Sequence, residues 1–287
     1  MTQKQALKVY LLLMLVFLIF YPILASSYGI LSFVGAALLG VMISVHIFFV
    51  IGSLLKNHTF IDTAWGLSFI IVAQVTFWMQ NTHTTIQWIV LAMVTAWGLR
   101  LFTHIMLRSV GKAEDPRYQQ MRKQMESGKH ALLITYLRIY IAQGFLAWII
   151  AAPIVFINCS PQIGVFPYYP VGVAVWVIGF LFEIIGDQQL KTFLAAPQSQ
   201  GQIMTGGLWQ YSRHPNYFGE ASMWWGIFII ALGFHGGWLA FFGPLLISFL
   251  LLFVSGVPLA ENLIRVLPGF EDYRRKTSMF IPWLPKK

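Results

Sequence analysis

The strongest constraint on this chain is a series of apolar runs, each near the length that crosses a bilayer, separated by short polar connections. The runs lie at about 10–26, 31–54, 63–79, 86–107, 132–157, 171–190, 217–233 and 238–258. A hydrocarbon core of about 30 Å takes roughly 20 helical residues. In lipid the backbone must satisfy its own hydrogen bonds, so such runs fold as helices. The expected fold is an all-α, multi-span transmembrane bundle of about 7–8 helices, with cytoplasmic loops forming a site. Charged residues make up only 10% of the chain, against roughly a quarter in soluble domains.

The formal net charge is +9. In a soluble protein this would suggest nucleic acid. Here the basic residues fall between apolar runs, so they read as topology signals and anion contacts, and no nucleic-acid partner is expected. With the N-terminus inside and the spans alternating, the inner segments hold Lys4, Lys8, Lys56 and the basic residues of 108–129, 191–213 and 265–287. The outer loops near 27, 81, 160 and 235 hold no Lys or Arg. Both termini and the chemistry are therefore expected at the cytoplasmic face of an inner membrane, since outer-membrane spans are barrels. The first run, with Lys4 and Lys8 before it, has an h-region character but is long for one, and is read as a retained helix. Cys159 is the only cysteine, so it has no disulfide partner in the chain and reads as a spectator thiol.

Ionisable side chains at bilayer depth are costly and point to sites or to helix–helix contacts. Asp62 opens the third run, with Trp65 on the same face. It is either an interfacial cap or an acid kept protonated by its pocket, able to donate to a substrate carbonyl. Trp97, Arg100, His104 and Arg108 lie on the fourth run, the last three as one stripe, which suits an extended anionic ligand or a salt-bridge network. Glu183, Asp187 and Lys191 form a second such stripe. Asp187 and Lys191 could pair, and Glu183 needs a partner such as Arg100.

The densest polar segment is GGLWQYSRHPNYFGE, residues 206–220, containing Tyr211, Arg213, His214, Asn216, Tyr217 and Glu220. Pro215 suits the first position of a helix. Asn216 and Glu220 then share a face, and the free amides of the helix start could hold a phosphate or pyrophosphate. Asp115 before Pro116 similarly predicts a short surface helix, bringing Arg117, Tyr118 and Arg122 to the same side. The seven histidines are scattered without metal-ligand spacing, so no metal is expected. The sequence has no GxGxxG after a strand, no P-loop and no GxSxG.

SRHPNYFGE after GGLW resembles the C-terminal signature of the steroid 5-alpha-reductase-like membrane superfamily. Asp62-x-x-Trp65-Gly66, Trp97-x-x-Arg100-Leu101, Glu114-Asp115-x-Arg117-Tyr118 and GFEDYRRKTSMFIPW resemble a bacterial branch carrying a domain of unknown function. The resemblance implies a single integral membrane domain over 1–287, with 1–58 less family-like and 59–287 the reductase-like core. It also implies a bundle that holds NADPH and passes hydride to an activated C=C bond. By this resemblance Asn216 and Glu220 hold the nicotinamide end, Asp187 and Lys191 contact the nucleotide, and Arg100 and His104 line the cofactor pocket. The steroid reductases polarise the substrate ketone with a Gln-Glu pair and a Tyr. No such pair is found here. Trp97 stands near the Tyr position and Asp62 is the nearest acid, so Asp62, Trp97 and Glu220 are the expected catalytic residues.

The expected function is thus an NADPH-dependent membrane reductase of lipid metabolism, whose hydrophobic lipid, isoprenoid or steroid-like substrate enters from the bilayer. Arg108, Arg117, Arg122, Lys191 and Arg213 would supply the cations that its phosphates need, and the hydride chemistry belongs to the cofactor. The alternative is an S-adenosylmethionine-dependent methyltransferase of the isoprenylcysteine or phospholipid type, which shares an Arg-His-Pro-x-Tyr core. A lipid-binding or transport protein is a third reading, weakened by the lack of an internal repeat.

Overall fold

A computed structural model describes residues 26, 29–109, 111–116, 118–119, 131–163 and 168–286. The described chain is helical. No strand occurs among the described residues, only two isolated backbone bridges. Six described helical stretches are long and apolar enough to cross a membrane: Leu31–Leu54, His58–Trp78, Thr85–Ser109, Leu132–Ile150, Tyr168–Ala195 and Gly237–Ile264. A seventh apolar helix, Pro215–Ala231, has 17 residues. These account for seven of the eight expected runs. The run at 10–26 lies almost wholly outside the described residues. The protein is a helical membrane bundle.

The helices are α1 (Leu31–Leu54), α2 (Ile61–Trp78), α3 (Thr85–Ser109), α4 (Ala131–Thr135), α5 (Ala142–Ile150), α6 (Ala152–Cys159), α7 (Tyr168–Ala195), α8 (Pro215–Ala231), α9 (Phe242–Phe253), α10 (Val257–Ile264) and α11 (Phe270–Lys276). Proline marks where several of them start. Pro153, Pro170, Pro215, Pro244 and Pro258 each sit within the first three positions of their helix, where the missing N–H costs nothing. This also explains why the run at 132–157 is not one helix. Pro153 cannot donate back to Ile149, so the chain breaks at Ala151 and restarts as α6. Upstream of the break, Tyr136–Ile141 winds as a π-helix between α4 and α5, an arrangement frequent near functional side chains.

The chain divides into two compact units. The N-terminal unit takes the described residues up to Ile163 together with Phe234–Ala240. The C-terminal unit takes those from Tyr168 to Gly233 and from Phe241 onward.

In the N-terminal unit α2 and α3 meet at Gly66 and Gly98. A Cβ on Gly98 would lie 2.7 Å from the Gly66 carbonyl oxygen, so only glycine allows this approach. Towards the α2–α3 turn, aromatic rings fill the space. Phe77 stacks on His83 at 3.7 Å and meets Trp88 edge-on at 4.6 Å. Trp78 and Trp88 are exposed, as suits rings at a membrane interface. Polar cross-links tie the same end: Asn158 Nδ2 donates to Thr76 Oγ1 at 2.8 Å and Gln87 Nε2 to the Ile157 carbonyl at 2.8 Å.

In the C-terminal unit α8 packs along α7 between Gly172 and Gly186. Gly172, Gly179 and Gly186 recur every seven residues on α7, and Gly219 and Gly226 do so on α8. A Cβ on Gly172 would lie 2.6 Å from the Gly226 carbonyl, and one on Gly179 2.6 Å from the Gly219 carbonyl. A Cβ on Gly186 would sit 3.2 Å from the Asn216 amide nitrogen. Small residues at a seven-residue period let two helix backbones approach along a continuous seam, where dispersion contacts and not hydrophobic burial hold helices together in lipid.

Candidate functional site

Two polar clusters gather most of the described candidate residues, one in each unit.

The cluster of the N-terminal unit forms where α2 begins. Asn57 caps the turn His58–Phe60, its side chain accepting from the Thr59 amide at 3.0 Å. This turn delivers Asp62 into the first turn of α2, where a carboxylate complements the helix dipole. Asp62 does not cap the helix, since Phe60 is the N-cap and makes no side-chain bond. Its Oδ1 instead accepts the Tyr118 hydroxyl. The Tyr118 oxygen in turn accepts from Gln143 Nε2 at 3.3 Å. Glu114 and Asp115 are moored to the same turn: buried Glu114 accepts the His58 amide at 2.9 Å, and the Asp115 amide donates to Thr59 Oγ1 at 2.8 Å. His58 Nδ1 and the Tyr140 hydroxyl are hydrogen-bonded at 2.7 Å, both residues buried. A Cβ on Gly52 would collide with that hydroxyl, so the glycine makes room for the pair.

The Asp115 carbonyl accepts from the Tyr118 and Gln119 amides at 3.0 and 3.1 Å, as a helix start there requires. Arg117 and Arg122 lie outside the described residues. On α3, Trp97 is buried against Phe69 at 5.4 Å, and Phe69 meets Trp65 at 5.6 Å, so the two tryptophans belong to one aromatic column. Arg100 and His104 follow along α3, half-buried, and Arg108 is exposed in its last turn.

The cluster of the C-terminal unit forms at the start of α8. His214 is its N-cap residue and Pro215 its first position, as the sequence predicts. The seam between α7 and α8 brings Asp187 to Asn216, whose Nδ2 donates to Asp187 Oδ1 at 3.0 Å. A carboxylate only accepts, so this bond fixes the amide's orientation and leaves Asn216 Oδ1 as the outward acceptor. That oxygen is buried and has no hydrogen-bond partner among the described residues. His214 is also buried, with its Nδ1 likewise unpartnered, and its ring stacks on Tyr217 at 5.4 Å and 10°. Glu183 is buried one turn along α7 from Asp187, while Lys191 is exposed one turn the other way. Glu220 follows Asn216 by one turn on α8, half-buried.

Arg213 is buried, and its Nε and Nη1 donors are engaged. Nε donates to Glu261 Oε1 at 2.8 Å, and Nη1 donates to the Arg274 and Thr277 carbonyls, each at 3.0 Å. His214 Nε2 reaches the same Glu261 oxygen at 3.4 Å. Tyr211, half-buried, accepts the Trp283 amide at its carbonyl at 2.9 Å. Burial pushes the Tyr273 phenol well above its ordinary range, so it stays a donor, to the Trp209 carbonyl at 2.7 Å. The sequence reading missed Gln143, the His58–Tyr140 pair, Ser212 and Glu261. Glu261 had one visible signal, as the lone acid in the otherwise uncharged stretch 257–264. Among the described residues no group of three or more His, Cys, Asp or Glu could hold a metal ion.

The family model described as "Protein of unknown function (DUF1295)" matches residues 48–277, a stretch that contains both clusters. The chain belongs to this family. It is also similar to curated steroid reductases. It is 30% identical over 118 residues to 3-oxo-5-alpha-steroid 4-dehydrogenase 1 of Macaca fascicularis, covering 41% of this chain and 42% of that protein. The same identity and length hold for the enzymes of Bos taurus, covering 43% of that protein, and Homo sapiens, covering 42%. The chain thus spans about two-fifths of the length of these curated relatives. No solved structure matches it significantly.

Proposed function

We propose that this chain is an NADPH-dependent membrane reductase that transfers hydride to an activated C=C bond of a steroid-like or isoprenoid lipid, with its site at the cytoplasmic face. The observation that carries the reading is the buried, unpartnered Asn216 Oδ1 beside the start of α8. A buried acceptor without a donor is costly in a folded protein, by roughly 1–3 kcal/mol. A carboxamide N–H₂, such as nicotinamide carries, would satisfy it. NADPH supplies a hydride when bound; the rest is binding and orientation by the protein.

In this reading Asp187 holds Asn216 in the orientation that presents Oδ1, and Glu220 binds on the next turn. Tyr217 and His214 give a stacked aromatic edge next to the helix amides, which favour an anion. Lys191 serves as a phosphate cation and Glu183 as a further cofactor contact. In its protonated form Asp62 would be the donor to the substrate acceptor, with Tyr118 hydrogen-bonded to it, and Trp97 packs on Phe69 in the same unit. The similarity to proteins named as steroid 4-dehydrogenases supports the substrate class.

The test is a titration of the purified protein with NADPH, NADH and S-adenosylmethionine, followed by thermal stabilisation. NADPH should stabilise the protein most. Asn216→Ala and Glu220→Ala should remove that stabilisation while leaving the ligand-free melting curve in place. Preferential stabilisation by S-adenosylmethionine would replace this reading with a methyltransferase.

A further inference from the structure

We propose that Arg213 and Glu261 are positioning residues, which use the segment 274–283 as a splint to set the first turn of α8. This rests on the reading of that turn as the dinucleotide site, and it moves Arg213 from the phosphate contacts to the frame behind them.

Three observations carry it. The first is the neutralisation of Arg213. Its guanidinium is buried and paired with Glu261 at 2.8 Å, and two backbone carbonyls take Nη1. A phosphate at Arg213 would have to compete with a carboxylate already in place, and a neutralised pair projects little field. The second is a relay from the segment to the N-cap residue. The His214 amide donates to Ser212 Oγ at 3.1 Å, and Ser212 Oγ donates to the Phe280 carbonyl at 2.8 Å. This relay satisfies an amide that the helix start leaves unpaired. The third is the continuity of the contact. The Arg213 amide donates to the Ser278 carbonyl at 2.8 Å, the Trp283 amide to the Tyr211 carbonyl at 2.9 Å, and the Phe280 ring meets Phe218 at 6.2 Å. Every residue from 211 to 214 is thus tied, directly or through Ser212 and Glu261, to chain at least 47 positions away.

The turn so framed carries two of the buried polar atoms without a hydrogen-bond partner, His214 Nδ1 and Asn216 Oδ1. Glu261 also reaches His214 itself, so loss of Glu261 loosens the N-cap ring and the guanidinium together.

Glu261→Gln in the full chain separates the two roles of Arg213 by sign. If Arg213 positions the helix start, NADPH affinity falls by about tenfold, the scale of one lost charge-assisted bond, with turnover at saturating NADPH nearly unchanged. If Arg213 binds phosphate, freeing it from Glu261 leaves affinity unchanged or tightens it, and the proposal is overturned. Ser212→Ala is the second variant, since it cuts the relay to Phe280 and leaves the ion pair alone. Amide exchange, read by mass spectrometry without cofactor, should rise together in 211–218 and 277–283 in both variants. Unchanged exchange in 211–218 would overturn the splint. Failure of the wild-type chain to bind NADPH would remove the dinucleotide reading alone, and the exchange measurement would still decide the splint.

Discussion

In the N-terminal unit α2 and α3 touch backbone to backbone at one level, Gly66 against Gly98, and aromatic rings occupy the rest of the contact. In the C-terminal unit α7 and α8 touch at three levels, and the Phe182 and Phe218 rings meet across them at 5.2 Å. A single glycine contact fixes a crossing point and leaves the helices free to diverge. Three contacts at a seven-residue period fix the whole axis, because a helix pair that stays in register must present the same face every two turns. The difference bears on the sites. Asp62 reaches its partner Tyr118 through a loop 56 positions away. Asp187 reaches Asn216 at the last rung of the seam itself. The first pair is joined through a loop, the second through helix packing.

The comparison is broken most directly at the middle rung. Gly179→Leu places a side chain against the Gly219 carbonyl and the Met223 amide, both backbone atoms that cannot swing away. The expected cost is at the upper end of overpacking, about 3 kcal/mol or more. It should appear as loss of monodisperse protein on gel filtration, and a normal elution profile with an unshifted melt would rule out the seam as described. Gly98→Ala should cost less, about 1–3 kcal/mol, because one of its near neighbours is the movable Ile70 side chain. Equal losses for the two variants would erase the distinction between seam and crossing point.

At the level of the sites, Tyr118→Phe removes one hydrogen bond to a carboxylate, worth about 1.5–3 kcal/mol. In the reductase reading, Asp62→Asn lowers turnover more than cofactor affinity, while Asp187→Asn does the reverse. Steady-state kinetics with NADPH varied would show whether the two clusters divide the work in that way. The smallest effect concerns α11. Bonds from Lys276 and Arg275 hold the exposed Asp272 carboxyl below its usual range. A depressed carboxyl contributes stability above its unfolded value and loses it as pH falls, so local exchange in 270–276 should rise below about pH 4. Asp272→Asn should flatten that response without altering exchange in α7 or α8. A Cβ on Gly35 would meet nothing within 4 Å. Gly35→Ala should therefore be neutral or stabilising by up to about 1 kcal/mol.

Much of the bundle is legible in the sequence because lipid imposes a length on each apolar run. The start of α8 is legible for a different reason: Pro215 fits only where a donor is not required. The seam was equally visible in principle, as glycines at 172, 179, 186, 219 and 226, yet attention to charged residues passes over it. Pairs joined across the chain leave no such trace. Nothing local to Asp62 names Tyr118, and nothing local to Arg213 names Glu261. Arg213 shows this most clearly: it reads as an anion contact at a helix start, and its carboxylate partner, 48 positions on, leaves no local trace.

The bond from Ser212 to Phe280 joins residues 68 positions apart. During synthesis on the ribosome, α7 and α8 can enter the bilayer and zip along their glycines while that partner is still unmade. The frame around His214 must therefore mature last, once residue 283 has left the exit tunnel. A chain stalled or clipped before that point would carry the helix pair without the bonds that frame its N-terminal turn.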